Sequence, residues 1–436
     1  AGFVVLQRMR DEIEQGRTFA EALDNIRAST IFTTHTPVPA GHDAFSFALV
    51  DKYLAGCWGA LEPYHDQFIA LGSHEARFIM TALALRSAAR TNAVRELHGH
   101  VTRAMWTGIW PGVPVEQIPV AFITNGVHVP TWIAPDLDAL FSHHLGADWR
   151  DHHDDPSMWQ AILAIPDHDL WRVRRQLRQY LFTFIRERAR DRWAVDKVST
   201  PRIVAAGTLL EPEALTIGFA RRFTGYKRPE LIFHDPDRLA TILNSADRPV
   251  QVILAGKSHP ADDIGKHHLQ HVYAHAIDPK FGGRVAFIDD YDLHVAHFFV
   301  QGCDVWLNNP RKPLEASGTS GMKAALNGVP HLSVGDGWWA EGFNGTNGWL
   351  IDGGNTSHND DAVDAADAEA LYRLLEEQIV PAFYDRDREG VPHRWIATVK
   401  DAIRTVAPRF SARRMVKEYT KRMYTPAFER RRDAQP

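Results

Sequence analysis

Three observations predict an α/β fold built on a doubly wound parallel sheet. Between Leu215 and Ser333, strand-like runs (215–221, 249–255, 284–288, 303–307, 329–333) alternate with helical patterns (229–243, 262–276, 293–300, 319–326). Such alternation means parallel strands joined by crossover helices. Loops rich in Pro and Gly follow strand ends, as at His35–Phe45, the position where sites are built in α/β proteins. Finally, 436 residues at 44% hydrophobic and 24% charged supply enough apolar surface for at least two cores.

Taken in order, residues 3–28 carry apolar positions near helical spacing (Phe3, Leu6, Met9, Ile13, then Ala20, Leu23, Ile26) and predict one amphipathic helix. A strand follows at 30–34. Helical patterns dominate from Phe45 to Trp106, and a buried strand is predicted over 118–125. The turn Asn125–Pro130 marks a domain crossing. A long Arg-rich helix over 171–193 reads as a solvated basic face with acidic neighbours. The chain is helical from Asp361 onward and ends in a basic stretch, 417–432, with no internal repeat or low-complexity segment.

Composition removes several function classes. With Lys+Arg 49 against Asp+Glu 54, net charge −5, nothing points to a nucleic-acid surface. Two cysteines, Cys57 and Cys303, are too few for a disulfide framework and fit a reducing cytoplasm. No apolar run approaches the length of a membrane span. The chain starts Ala-Gly-Phe-Val-Val-Leu, without an initiator Met or a signal-like region, as a fragment opening mid-helix would. Thirteen tryptophans suit sugar stacking, but core packing is their commoner use.

Chemistry concentrates in Glu315–Gly328, a glycine-rich turn running into a short helix that carries Lys323. Gly318 and Gly321 keep side chains off the backbone, and Thr319 and Ser320 are placed to cap the helix, leaving N–H groups for an anion. The P-loop spacing is absent. A cofactor with an aldehyde at one end and a phosphate at the other, pyridoxal phosphate (PLP) joined to Lys323 as a Schiff base, fits this arrangement. A Gly/Ser helix start with a surface lysine would carry the same residues. Upstream, Arg221, Arg222, Lys227 and Arg228 gather four cations at a strand end, where they would converge on a second anion unless they serve surface salt bridges. Gly256–Lys266 reads as a structural loop. His267, His271 and His275 have helical ligand spacing without the zincin glutamate, and chance accounts for them, as it does for Asp151–Asp155. No G-x-S-x-G elbow is present.

Four separated motifs resemble, in order, those of the α-glucan (glycogen, starch, maltodextrin) phosphorylases, most of all their shorter bacterial branch: Thr33-Thr34-His35-Thr36, Thr124-Asn125-Gly126, Arg221–Arg228, and Glu315–Lys323. Tyr291 matches a fifth position, and Asp304–Arg311 and Asp336–Trp349 extend the likeness. The resemblance implies a GT-B architecture of two Rossmann-like domains. Residues 1–122 would be the remainder of a truncated N-terminal domain, 123–408 a complete PLP-binding domain and 409–436 a helical tail. It implies Lys323 as the PLP lysine, with Arg221, Gly318, Thr319, Ser320, Tyr291 and Trp132 around the cofactor. Lys323, Arg222, Lys227 and His35 become the catalytic set, with Arg222 and Lys227 on inorganic phosphate. The terminal glucose falls to His35, Asn125, Glu315, Ala316, Ser317 and Gly318.

The implied reaction is phosphorolysis of the non-reducing-end α-1,4-glucosyl unit to glucose 1-phosphate with retained configuration. An ordinary retaining glycosidase uses two carboxylates instead. In this family the PLP phosphate exchanges a proton with the substrate phosphate, and the electron-sink chemistry is unused. Partners would be α-1,4-glucan and phosphate, with no nucleic acid or membrane, and a homodimer is left open. Two departures stand out. The family's upstream glycine loop and acidic-Gly-His segment fall outside this chain, which therefore resembles a C-terminal portion. Val129-Pro130-Thr131 and Thr224 also replace the arginines and histidine of longer and animal relatives. Two other classes compete: a nucleotide-sugar-dependent, glycogen-synthase-like transferase, which needs no Schiff-base lysine, and an inactive glucan-binding fragment.

Overall fold

The computed structural model describes residues 2–195, 210–355, 357 and 359–433. The chain forms two compact units, one of residues 1–125, 313–317 and 414–436, the other of 126–312 and 318–413.

In the first unit the predicted N-terminal helix is two helices, Val4–Glu14 and Phe19–Ser29. Gly16 adopts φ 89°, which a helix does not accommodate. Thr18 then restarts the helix through a capping box with Glu21. Strands β1 (Ile31–Thr34), β5 (Arg90–Ala93) and β6 (Val120–Phe122) form a parallel sheet in the order β1-β5-β6. The strand β5 was not predicted, since Arg-Thr-Asn-Ala is short and polar, and the 45–106 region reads as helical without it. A small antiparallel sheet of β2 (Ala44–Phe45), β3 (Ser73–His74) and β4 (Arg77–Ile79) lies in the same region.

The second unit holds a six-stranded, wholly parallel sheet: β7 (Leu215–Ala220), β8 (Val250–Ala255), β9 (Val285–Ile288), β10 (Val305–Asn308), β11 (His331–Val334) and β12 (Gly348–Ile351), in the order β12-β11-β10-β7-β8-β9. Every residue of β7, β8, β10 and β11 is buried, as helices on both faces require. The chain winds outward from β7 to β9, then returns to β10 beside β7 and winds the other way. The β7/β10 junction is therefore the topological switch point, where ligands bind outside the strand carboxyl ends. The predicted doubly wound parallel sheet is present, with β12 as an additional edge strand.

Asp262 and Asp292 cap the crossover helices Asp263–Ala276 and Leu293–Gly302 by accepting hydrogen bonds from Gly265 N and Val295 N. The predicted helix 229–243 is confined to Pro236–Leu243, capped by Asp235, after two short 3₁₀ turns. The helix Asp167–Val195 is not uniformly a solvated basic face, because Arg174 and Arg178 are buried. Arg178 pairs with Asp304 at 3.1 Å, both side chains about 1% exposed, between the rings of Trp171 and Phe383. Arg174 donates to the carbonyls of Gln301, Cys303 and Asn327, the C-terminal ends of two helices, where a cation opposes the partial negative charge of the carbonyls. Among the residues whose burial is described, eleven tryptophans are buried and one, Trp110, is partly exposed, so most serve as core.

Candidate active site

Lys323 lies on the helix Ser320–Leu326, which follows β10 and the turn at Gly318, whose φ of 71° suits glycine. The expected capping by Thr319 and Ser320 is not formed. Thr319 has helical backbone angles and makes no side-chain cap bond, and Ser320 Oγ accepts from Trp306 Nε1 at 3.2 Å. Gly321 is needed for close packing: a Cβ there would come within 2.8 Å of both His331 and Trp338.

The Lys323 ammonium sits 3.7 Å from the ring centroid of Trp132. Among the described residues it makes no hydrogen bond or ion pair, and partial burial holds its pKa below the ordinary lysine value. Trp132 is stacked on His297, centroids 4.4 Å apart and nearly parallel. Asn327, one turn beyond Lys323, fixes this arrangement. Its Nδ2 donates to the carbonyls of Trp132 (2.8 Å) and Lys323 (2.9 Å), and its Oδ1 accepts from Ala134 N at 2.8 Å. Sequence reading did not single out Asn327 or His297. Nothing in their spacing marks them, since their partners are almost 200 and 165 residues away in the chain.

At the carboxyl end of β7, Arg221 is buried. Its charge acts on Tyr291, whose hydroxyl is pushed up to about 12 by burial against the pull of Arg221. It also acts on His331, which burial above all, then Arg221, lowers to about 3. His331 is therefore neutral. Arg222 is exposed, while Lys227 is buried with its Nζ 4.9 Å from the Tyr226 ring centroid. The four cations of this segment do not all converge. Arg228 is consumed by the structure, paired with Asp364 and Asp367 at 2.8 and 2.7 Å and donating to the carbonyls of Asn309 and Pro310.

The histidines of Asp263–Ala276 serve other ends: His268 and His271 both engage Glu230, and His275 stacks on Phe233. Lys257, in the loop read as structural, pairs with Asp290 at 2.6 Å. In Asp151–Asp155, His153 bonds the Arg150 carbonyl and Asp154 pairs with Arg413.

The remaining predicted positions belong to the first unit. His35 is exposed just beyond β1. Asn125 follows β6, its N–H donating to Val94 O at 3.0 Å, and Arg414 donates to the carbonyls of Thr124 and Asn125. Glu315, Ala316 and Ser317 are each less than 9% exposed, and Ser317 Oγ is buried without a hydrogen-bond partner among the described residues. Arg95, fully buried, holds this segment by donating to the carbonyls of Glu315 and Ala316. Sequence reading missed Arg95 together with β5, the strand that delivers it.

Residues 62–341 match the family model described as carbohydrate phosphorylase. The chain is 42% identical over 427 residues to a glycogen phosphorylase of Aquifex aeolicus, covering 97% of this chain and 61% of that protein. It is 43% identical over 425 residues to a maltodextrin phosphorylase of Thermococcus litoralis, covering 98% of this chain and 50% of the relative. A glycogen phosphorylase of Mycobacterium tuberculosis is 43% identical over 436 residues, with the same two shares. The chain thus spans between half and about three fifths of the length of these relatives. Its extensive match to the family model, joined to the parallel sheet and the lysine helix beyond its switch point, makes the chain a member of the carbohydrate phosphorylase family.

Proposed function

We propose that the protein to which this chain belongs is an α-glucan phosphorylase that transfers the non-reducing-end α-1,4-glucosyl unit of glycogen or maltodextrin to inorganic phosphate, giving glucose 1-phosphate. The observation that carries the reading is Lys323: a lysine amine sheltered against Trp132, with no carboxylate or acceptor among the described residues engaging it, in a chain of this family. A lysine whose pKa is lowered by desolvation has more of its amine neutral near pH 7, the form that attacks a carbonyl carbon.

The residues present fit PLP. Lys323 would hold it covalently, Trp132 would shelter the attachment point, and Arg221, Tyr291, Gly318, Thr319 and Ser320 would receive the remainder. When bound, the group supplies acid–base exchange at its phosphate. Arg222 and Lys227 would take the substrate phosphate, each through charge-assisted hydrogen bonds of about 1.5–3 kcal/mol. His35, Asn125, Glu315, Ala316, Ser317 and Gly318 would hold the terminal glucose. The buried, unpartnered Ser317 hydroxyl supports this, since a sugar hydroxyl would satisfy it.

In this reading residues 1–122 end the first Rossmann-like domain of a GT-B enzyme, 123–408 are the PLP-binding domain and 409–436 the tail. The enzyme acts in the cytoplasm on glucan and phosphate, without nucleic-acid or membrane partners. Among the described residues no helix is long and apolar enough to cross a membrane. A nucleotide-sugar transferase would have no use for Lys323.

The test is phosphorolysis of maltodextrin by the complete protein. Lys323→Ala should abolish both PLP absorbance and glucose 1-phosphate release, and His271→Ala should leave both intact. Activity retained without Lys323 would sink the reading.

A further inference from the structure

Arg95 closes the turn between β5 and the helix Glu96–Met105, with extended backbone and no exposed surface. Removing a guanidinium from water is costly unless its donors find acceptors. Here Nε donates to the Ala316 carbonyl at 2.7 Å and Nη2 to the Glu315 carbonyl at 2.8 Å, so one planar fork grips two consecutive peptide oxygens. A trans peptide points its N–H away from its C=O. Fixing those two carbonyls therefore fixes the directions of the Ala316 and Ser317 N–H groups, away from Arg95. The same clamp sets the backbone from which the unpartnered Ser317 hydroxyl projects. This segment follows Pro313 and contains no helix or strand of its own, so the clamp substitutes for secondary structure.

We propose that Arg95 is a positioning residue which, without touching substrate, orients the Glu315–Ser317 backbone to receive the hydroxyls of the terminal glucosyl unit. The inference rests on the phosphorylase reading above. It predicts a selective defect: sugar recognition suffers, while phosphate and cofactor binding do not.

The test uses the complete protein, its Arg95→Gln and Arg95→Lys variants, and initial rates with maltooligosaccharide and phosphate varied in turn, alongside PLP content. Loss of two charge-assisted bonds from the loop should raise KM for maltooligosaccharide roughly tenfold to a hundredfold in Arg95→Gln. KM for phosphate should stay within about twofold and PLP content should be full. Arg95→Lys, which retains the charge but lacks the fork, should fall between, and it decides by the same split if Arg95→Gln does not fold. An unchanged maltooligosaccharide KM would overturn the proposal, as would equal losses for sugar, phosphate and cofactor. A wild-type protein that binds PLP normally yet performs no phosphorolysis would overturn the reading on which the proposal stands, and the proposal with it.

Discussion

Replacing Asn327 with alanine should detach the Trp132 segment from the lysine helix. The Asn327 side chain is fully buried, and its amide makes three hydrogen bonds, to Trp132 O, Lys323 O and Ala134 N, all between 2.8 and 2.9 Å. Truncation strands the Ala134 N–H in the interior and leaves the Trp132 carbonyl with only the longer, 3.4 Å bond from Gln301 Nε2. At about 1–3 kcal/mol for one unpartnered buried group, with a smaller loss at the Trp132 carbonyl and allowing partial relaxation, the cost should be about 1–3 kcal/mol. The Lys323 carbonyl adds little, because it lies near a helix end where other partners are available. Urea unfolding followed by tryptophan fluorescence measures the change as a midpoint shift at unchanged slope. The same variant lets Trp132 move off the Lys323 amine, so the amine pKa should rise toward the ordinary lysine value. Capture of added PLP at neutral pH should then slow. A stability change within about 0.5 kcal/mol, the range of ordinary surface substitutions, together with unaltered capture would refute the role assigned to Asn327.

Asp304→Asn should destabilise by about 3–5 kcal/mol, since it leaves the Arg178 guanidinium buried without its counter-charge; a loss under about 1 kcal/mol in urea unfolding would contradict that. Lys323 should also leave a pH signature in the absence of PLP. Burial depresses its folded pKa below the unfolded value, so between the two the unfolded chain binds more protons, and stability rises with pH through the folded pKa up to the ordinary lysine value. Lys323→Met removes that term. The variant should be more stable than wild type at neutral pH, by a margin that shrinks toward pH 10, and parallel stability profiles would argue against a desolvated amine.

Much of the second unit was legible because its elements announce themselves locally. Apolar strand runs such as Val250–Ala255 alternate with helices whose Asp caps stand at their starts, and a doubly wound sheet follows from that alternation. The lysine helix and the cation-rich strand end were visible for the same reason, as Gly-rich or basic turns at strand carboxyl ends. What escaped notice depends on distance along the chain. Arg174 and Arg178 look like a solvated face until the sheet delivers helix-end carbonyls and Asp304 to them. Arg228 looks like an anion ligand until Asp364 and Asp367 arrive from 136 and 139 residues away. The strand that leads to Arg95 is four residues long and polar, and only pairing on both sides makes it a strand. The cap expected of Thr319 failed for a local reason, since the chain enters the helix already in helical conformation and leaves the hydroxyl no capping geometry.

The central claim is that Lys323 carries the cofactor. Borohydride reduction of the complete protein in the presence of PLP, followed by mapping of the modified peptide, tests it most directly. One pyridoxyl group per chain, on the peptide containing Lys323, is the predicted result; modification of a different lysine, or a chain that stays colourless and unlabelled at saturating PLP, would contradict it.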